Sequence, residues 1–299
     1  QGIRLSGIRG RVVAQGTEIT IEQLVASTRN DGRLSVTGRV RIDPSAGFPG
    51  EIRITGQNAE LVSNDIVTTT ADLALSLSGA LAQNPRVGGE VRIVSMEVQI
   101  PERLPATIRP LAGTKHVNPP PIAAARLALA AKAKAGSRHA PAFDAALDLT
   151  VSAPNRIYVR GRGIQAELGG DLRLTGTLAN PIAVGAFELR NGRLTIVGTR
   201  LDFTRGNLTF TGDLTPALDF AAETRAGDVT AQVFVTGTAR EPRFTFSSDP
   251  DLPQDEVLSR ILFSKASGGL SVGQALQLAQ VAAQFAGGGG DDVFESLRK

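Results

Sequence analysis

Leu172-Arg173-Leu174-Thr175-Gly176-Thr177-Leu178-Ala179-Asn180-Pro181 reads as a strand that turns at a glycine and stops at a proline. The chain writes the same phrase again. Leu34-Ser35-Val36-Thr37-Gly38 leads to Pro44, Leu75-Ser76-Leu77-Ser78-Gly79 to Pro85, and Val233-Phe234-Val235-Thr236-Gly237 to Pro242. Each copy places an apolar side chain at every second position, the pattern of a strand with one buried face. Proline has no ladder donor and belongs at a rim, while glycine allows a bend. Each copy therefore reads as one rung of a curved sheet, bent at Gly38, Gly79, Gly176 and Gly237.

The alternation continues along the chain. Leu172 and Leu174 are followed by Phe187 and Leu189, Leu194 and Ile196, Leu201 and Phe203, Leu208 and Phe210. Leu218 and Phe220, Val233 and Val235, then Phe244 and Phe246 complete the series. Arg, Glu, Asp, Thr and Gln occupy most positions between. Asn191-Gly192, Gly206-Asn207, Gly212-Asp213 and Gly227-Asp228 read as tight turns, and Asn30-Asp31-Gly32 as a hairpin in the earlier part. The first hundred or so residues behave alike, with Ile19/Ile21, Leu34/Val36, Val40/Ile42, Ile52/Ile54, Leu73/Leu75/Leu77 and Val91/Ile93.

Composition excludes several classes. The net charge of +3 over 299 residues, with bases scattered singly and 4% aromatic residues, does not suit nucleic acid. Cysteine is absent, which removes disulfides and thiol catalysis. Both histidines, His116 and His139, fall in a linker-like stretch, so no His-based metal cluster or triad base is available. Gly161-Arg162-Gly163 is not followed by a helix and is no phosphate cradle. The expectation is a protein that is not an enzyme and carries no metal or cofactor. No stretch has the run of apolar residues a membrane-spanning helix needs. A membrane barrel is disfavoured by one Tyr (Tyr158) and no Trp, since aromatic girdles could not be built.

The strand blocks are interrupted by Pro119-Pro120-Pro121 and an Ala/Lys-rich segment. This divides the chain into a strand block over 1–105, an exposed linker over 106–142, a second strand block over 143–248 and a helical end over 249–299. In the last, Pro253, Asp255 and Glu256 suit a first helical turn, and Val257, Leu258, Ile261 and Leu262 share a face. Ser271 and Gln274 form a capping box for a second helix. On it Val272, Ala275, Leu276, Ala279, Ala282, Ala283 and Ala286 make a small-residue stripe opposite Gln277, Gln280 and Gln284, and the expected partner of that stripe is the end of the chain's own sheet.

Many strands and so little helix leave the apolar face without a helical cover. A barrel, two packed sheets or one sheet folded lengthwise remain, and the repetitive punctuation favours the elongated form. The fold expected is all-β, a lengthwise-folded sheet with a short C-terminal helical segment.

Two stretches carry a family resemblance. Asn155-Arg156-Ile157-Tyr158-Val159-Arg160-Gly161-Arg162-Gly163, running into Ala166-Glu167-Leu168-Gly169-Gly170-Asp171-Leu172, resembles the strand block of the TamB C-terminal family. So does Ser247-Ser248-Asp249-Pro250-Asp251-Leu252-Pro253-Gln254-Asp255-Glu256-Val257-Leu258-Ser259-Arg260-Ile261-Leu262-Phe263 with Gln274-Ala275-Leu276-Gln277-Leu278-Ala279. The likeness is closest over 143–299; earlier it rests on the repeats and Ile100-Pro101-Glu102-Arg103-Leu104-Pro105. It implies a β-taco groove with an apolar lining in a periplasmic protein that runs from an inner-membrane anchor to TamA, an outer-membrane barrel of the BamA type. It further implies phospholipid transport to the outer membrane and help in assembling outer-membrane proteins such as autotransporters. The chain shows neither the anchor nor the terminal strand of the family, so a fragment of a longer protein is expected, and a monomer. The lining for phospholipid acyl chains is assigned to the alternating apolar residues from Leu172 to Phe246 named above; a chaperone-like scaffold for client strands is the alternative.

Overall fold

The hairpins show what the repeated phrase builds. In the computed structural model, which describes residues 3–100, 143–196, 198–263 and 265–286 and side chains of the last helix as far as residue 279, the strands run β1 (Ser6–Gln15), β2 (Glu18–Ser27), β3 (Arg33–Arg41), β4 (Pro49–Ser63), β5 (Val67–Ala80), β6 (Arg86–Gln99) and β7 (Ala146–Gly161). They continue as β8 (Ile164–Thr177), β9 (Pro181–Ile196), β10 (Thr199–Gly212), β11 (Ala217–Ala226), β12 (Val229–Gly237) and β13 (Pro242–Asp249). Helices α1 (Gln254–Phe263) and α2 (Val272–Ala286) follow.

Gly176 lies opposite Pro181 and Gly237 opposite Pro242, at φ of +82° and +88°. The two turns share their hydrogen bonds. Thr177 N–H donates to Asn180 O (3.2 Å) and Asn180 N–H to Thr177 Oγ1 (3.2 Å); Thr238 N–H donates to Glu241 O (3.3 Å) and Glu241 N–H to Thr238 Oγ1 (3.2 Å). Here the glycine closes a hairpin and the proline opens the next strand, so the expected bend at these glycines is replaced by a turn. Gly79, at φ +96°, ends β5 in the same way before Pro85. Gly38 differs: it sits within β3, opposite Ile52.

All thirteen strands form one open sheet in sequence order, with no closure into a barrel. Every neighbouring pair is antiparallel except β6 and β7, which run parallel with Val87 beside Leu147 and Val98 beside Val159. The two strand blocks thus make one sheet. The expected linker over 106–142 lies outside the described residues.

The sheet bends elsewhere. Asn191-Gly192 and Gly206-Asn207, expected as turns, lie inside β9 and β10. They lie beside a row of register shifts that crosses the middle of the sheet. The shifts fall between Gly56 and Ala59, Thr70 and Ala71, Arg92 and Met96, Ala153 and Ile157, Glu167 and Leu168, and Phe203 and Arg205. Bulges bend a strand and raise its twist, and aligned on neighbouring strands they make a crease. At its inside only small side chains fit: Ala59, Ala71 and Ala153 are 0% exposed. Ile93, Ile157 and Leu168 pack around them.

The bulges also settle the pattern of faces. Leu189 and Leu194 are an odd number of positions apart, which in an unbroken strand would put them on opposite faces. The shift in β9 sets Leu189 opposite Leu168 and Gly192 opposite Ala166, so the apolar side chains stay on one face through the bend. The shift in β10 does the same for Phe203 and Leu208, opposite Ala222 and Leu218.

Helical cover, not expected from the sequence, is present at one place. Val257, Leu258, Ile261 and Leu262 of α1 form one buried cluster with Leu194, Ile196, Leu201, Ala222, Ala231 and Val233 of the sheet.

Candidate functional site

The inner, apolar face of the creased sheet lines a trough. Register places the whole series of expected lining residues on that face. Leu194, Ile196, Leu201 and Val233 lie in the cluster under α1, with Phe203 and Phe246 packed against it. Phe187, Leu189, Leu208 and Phe220 pack along the crease. Leu172, Leu174, Phe210, Leu218, Val235 and Phe244 lie beyond the crease on the other wall, half-buried.

The two halves of the trough differ in what fills them. On the inner face, Phe187, Phe203, Phe210, Phe220, Phe244 and Phe246 all belong to β9–β13, whereas β1–β8 carry no phenylalanine. Phe187 meets Phe210 edge-on at 6.0 Å between centroids, and Phe203 meets Phe220 at 5.9 Å. These rings occupy the C-terminal half, and α1 lies against Phe203 and Phe246 among them. Burying each large side chain of that cluster is worth about 1.5–3 kcal/mol.

The N-terminal half is open. An apolar cavity of about 380 Å³ is lined by Ile3, Leu5, Ile8, Leu24, Ala26, Leu34, Val36, Ile54, Leu61, Leu73, Leu75 and Val91. All of these side chains are hydrocarbon. Of its lining, Ile3, Leu5 and Ile8 are 47–59% exposed. The sequence carried the signal for this part, since Leu34/Val36, Ile52/Ile54 and Leu73/Leu75 alternate as the later pairs do. The candidate lining nevertheless began only at Leu172, because pairing alone does not reveal where side chains leave space.

The outer face is polar. Arg173–Asp148 (3.0 Å), Arg205–Asp219 (2.8 Å) and Arg53–Glu51 (3.0 Å) pair on it in solvent. Exposed pairs of this kind contribute about 0.2–1 kcal/mol each. Among the described residues, no group of three or more His, Cys, Asp or Glu is placed to hold a metal ion, and no helix is long and apolar enough to cross a membrane.

At the C-terminal end, polar contacts fix α1. Arg260 reaches Glu256 (2.9 Å) within the helix and Asp228 (3.4 Å) at the β11–β12 turn. Glu256 accepts from Ser267 N–H at 2.7 Å. Hydrogen bonds from the Ser267 hydroxyl and N–H, then the Arg260 guanidinium, hold the Glu256 carboxyl below its ordinary value. The fully buried Ser259 hydroxyl donates to Lys265 O at 2.9 Å.

The capping box of α2 is formed, with Ser271 N–H donating to Gln274 Oε1 (3.0 Å) and Gln274 N–H to Ser271 Oγ (3.4 Å). Its expected apolar stripe, however, is not buried: Val272 is 90% and Leu276 63% exposed, and Ala275 and Ala279 face solvent too. Leu278 and, ahead of the helix, Leu270 pack on the α1 cluster instead. Two leucines at that spacing bury more area than a stripe made mostly of alanine, so they set the rotation of the helix. Ala282, Ala283, Ala286 and the glutamines Gln280 and Gln284 lie beyond the described side chains.

The chain is 26% identical over 284 residues to the translocation and assembly module subunit TamB of Haemophilus influenzae (strain ATCC 51907 / DSM 11121 / KW20 / Rd), an alignment that covers 88% of the chain. It spans about a fifth (21%) of that relative's length. The family model described as TamB C-terminal domain matches residues 22–299, nearly the whole creased sheet and everything after it, and the chain therefore belongs to the TamB C-terminal domain family.

Proposed function

We propose that this chain shields phospholipid acyl chains in its trough, as a periplasmic segment of a protein that moves phospholipid between the inner and outer membranes and works with a TamA-type barrel in assembling outer-membrane proteins, autotransporters among them. The observation that carries the lipid reading is the cavity of about 380 Å³ whose twelve lining residues offer hydrocarbon alone. Such a surface has no donor or acceptor with which to read a peptide or sugar, and an open apolar surface of this kind in a soluble segment calls for an apolar occupant. Family membership supports the role in the translocation and assembly module. The acyl-binding residues in this reading are the N-terminal lining, continued by those of the sixteen alternating residues from Leu172 to Phe246 that α1 leaves uncovered.

The open edges of the sheet, β1 and β13, favour a second reading, in which the chain holds strands of a client protein by pairing with an edge. Organic extraction of the purified chain, followed by mass spectrometry, separates the two. Phospholipid is expected with the wild type and absent after Leu24→Glu, while Leu24→Glu leaves the strand content unchanged. Wild-type protein that never carries lipid, but retains a client strand at β1 or β13, supports the scaffold reading instead.

A further inference from the structure

The two ends of the trough are built differently. The N-terminal half is aliphatic and open, while the C-terminal half carries the phenylalanines and has one wall covered by α1. We propose that α1 is a stopper for the trough, which leaves a folded sheet as a unit and so opens the C-terminal lining to hydrocarbon. The proposal rests on the groove reading above and adds to it a place where passage is controlled.

Four features carry it. First, α1 covers the inner face itself: Val257, Leu258, Ile261 and Leu262 share a buried cluster with Leu194, Leu201 and Val233, on the wall across the crease from Leu172, Leu174 and Phe210, into whose rows the open lining runs. Undocking α1 would therefore bare the second wall of the C-terminal half. Second, α1 takes no part in the hydrogen-bonded sheet, so its departure breaks no ladder. Third, it joins the sheet rim through a side-chain latch, Arg260 to Asp228 at 3.4 Å, in which Asp228 is largely exposed and Arg260 mostly covered. Fourth, Arg260 to Glu256 lies within the helix and Glu256 to Ser267 ties it to the turn that follows, so helix and turn can stay together when they move. A helix outside the ladder, docked on the sheet through side chains alone, is a unit distinct from the sheet and can open separately from it.

The absence of cysteine from the chain makes the test direct. A single thiol at Leu262→Cys reports undocking of α1, and one at Val233→Cys reports opening of the sheet beneath it. Maleimide labelling of the full chain is expected to be at least about tenfold faster at Leu262→Cys, and adding Asp228→Ala should raise that rate about two- to fivefold, the range of an exposed ion pair, without changing the rate at Val233→Cys. Equal rates at the two thiols would mean that helix and sheet open together, and would overturn the stopper. In the second arm, benzoylphenylalanine replaces Leu24 or Phe203 and the protein is irradiated with phosphatidylethanolamine–phosphatidylglycerol vesicles. Cross-linking is expected at position 24 in either background, and at position 203 chiefly after Asp228→Ala. Cross-linking at position 203 as strong as at position 24 before the latch is removed also overturns the stopper. No lipid at position 24 defeats the groove reading, and the thiol rates still decide whether α1 moves alone.

Discussion

Gly206 faces Phe220 across β10 and β11, and a Cβ on Gly206 would lie 2.6 Å from the Phe220 ring and 2.7 Å from Leu189 Cβ. The glycine is there because three strands close on one another at the crease, not because a turn needs it. Gly206→Ala is expected to lower stability by about 1–3 kcal/mol through overpacking, read as a lower urea midpoint with an unchanged slope. Gly273→Ala, in the first turn of α2 where nothing lies within 4 Å, should instead add a few tenths to about 1 kcal/mol of helix stability.

Charge in the trough should have opposite consequences in its two halves. Ile54 lines the open cavity, so Ile54→Glu is expected to leave the sheet folded and to remove bound lipid. Phe203 packs on Phe220 and on the α1 cluster, so Phe203→Glu puts an unpaired charge among buried groups and should cost several kcal/mol. The outward Thr55→Glu serves as control. Circular dichroism with lipid extraction reads all three, and lipid retained by Ile54→Glu would count against the cavity as the binding place.

The capping box predicts a local effect. Ser271→Ala removes the acceptor for Gln274 N–H and should cost about 1 kcal/mol of α2 stability. Hydrogen exchange over residues 272–278 is expected to quicken while β1–β13 stay as they are; unchanged exchange there would mean the box carries no stability.

Acid should loosen α1 first. The folded-state pKa of Glu256 lies below its ordinary 4.5, because the Ser267 hydroxyl and N–H and the Arg260 guanidinium favour the carboxylate. A depressed carboxyl contributes stability that is complete above the unfolded value and is lost as pH falls through the folded one. Labelling of Leu262→Cys after acid exposure, or exchange of α1 amides corrected for intrinsic rates, is expected to rise below about pH 4.5, and Glu256→Gln should flatten that dependence.

Much of this protein was fixed locally. Apolar-polar alternation depends only on the two-residue period of a strand, so the residues of the inner face, from Leu172 to Phe246, could be named from the chain alone, as could the Asn30-Asp31-Gly32 hairpin, the apolar face of α1 and the Ser271 cap. The tertiary structure decided what depends on distant partners. Asn191-Gly192 and Gly206-Asn207 have the composition of turns, yet pairing with β8 and β11 keeps them in strands beside the bulges of the crease, since a strand that is flanked on both sides gains more from continuing its ladder than from turning. The seam of β6 against β7 joins residues about sixty apart in parallel, which no local pattern encodes. Where the trough stands open and where α1 closes it was also beyond the sequence, because alternation says which way a side chain points, and only packing says whether anything lies against it.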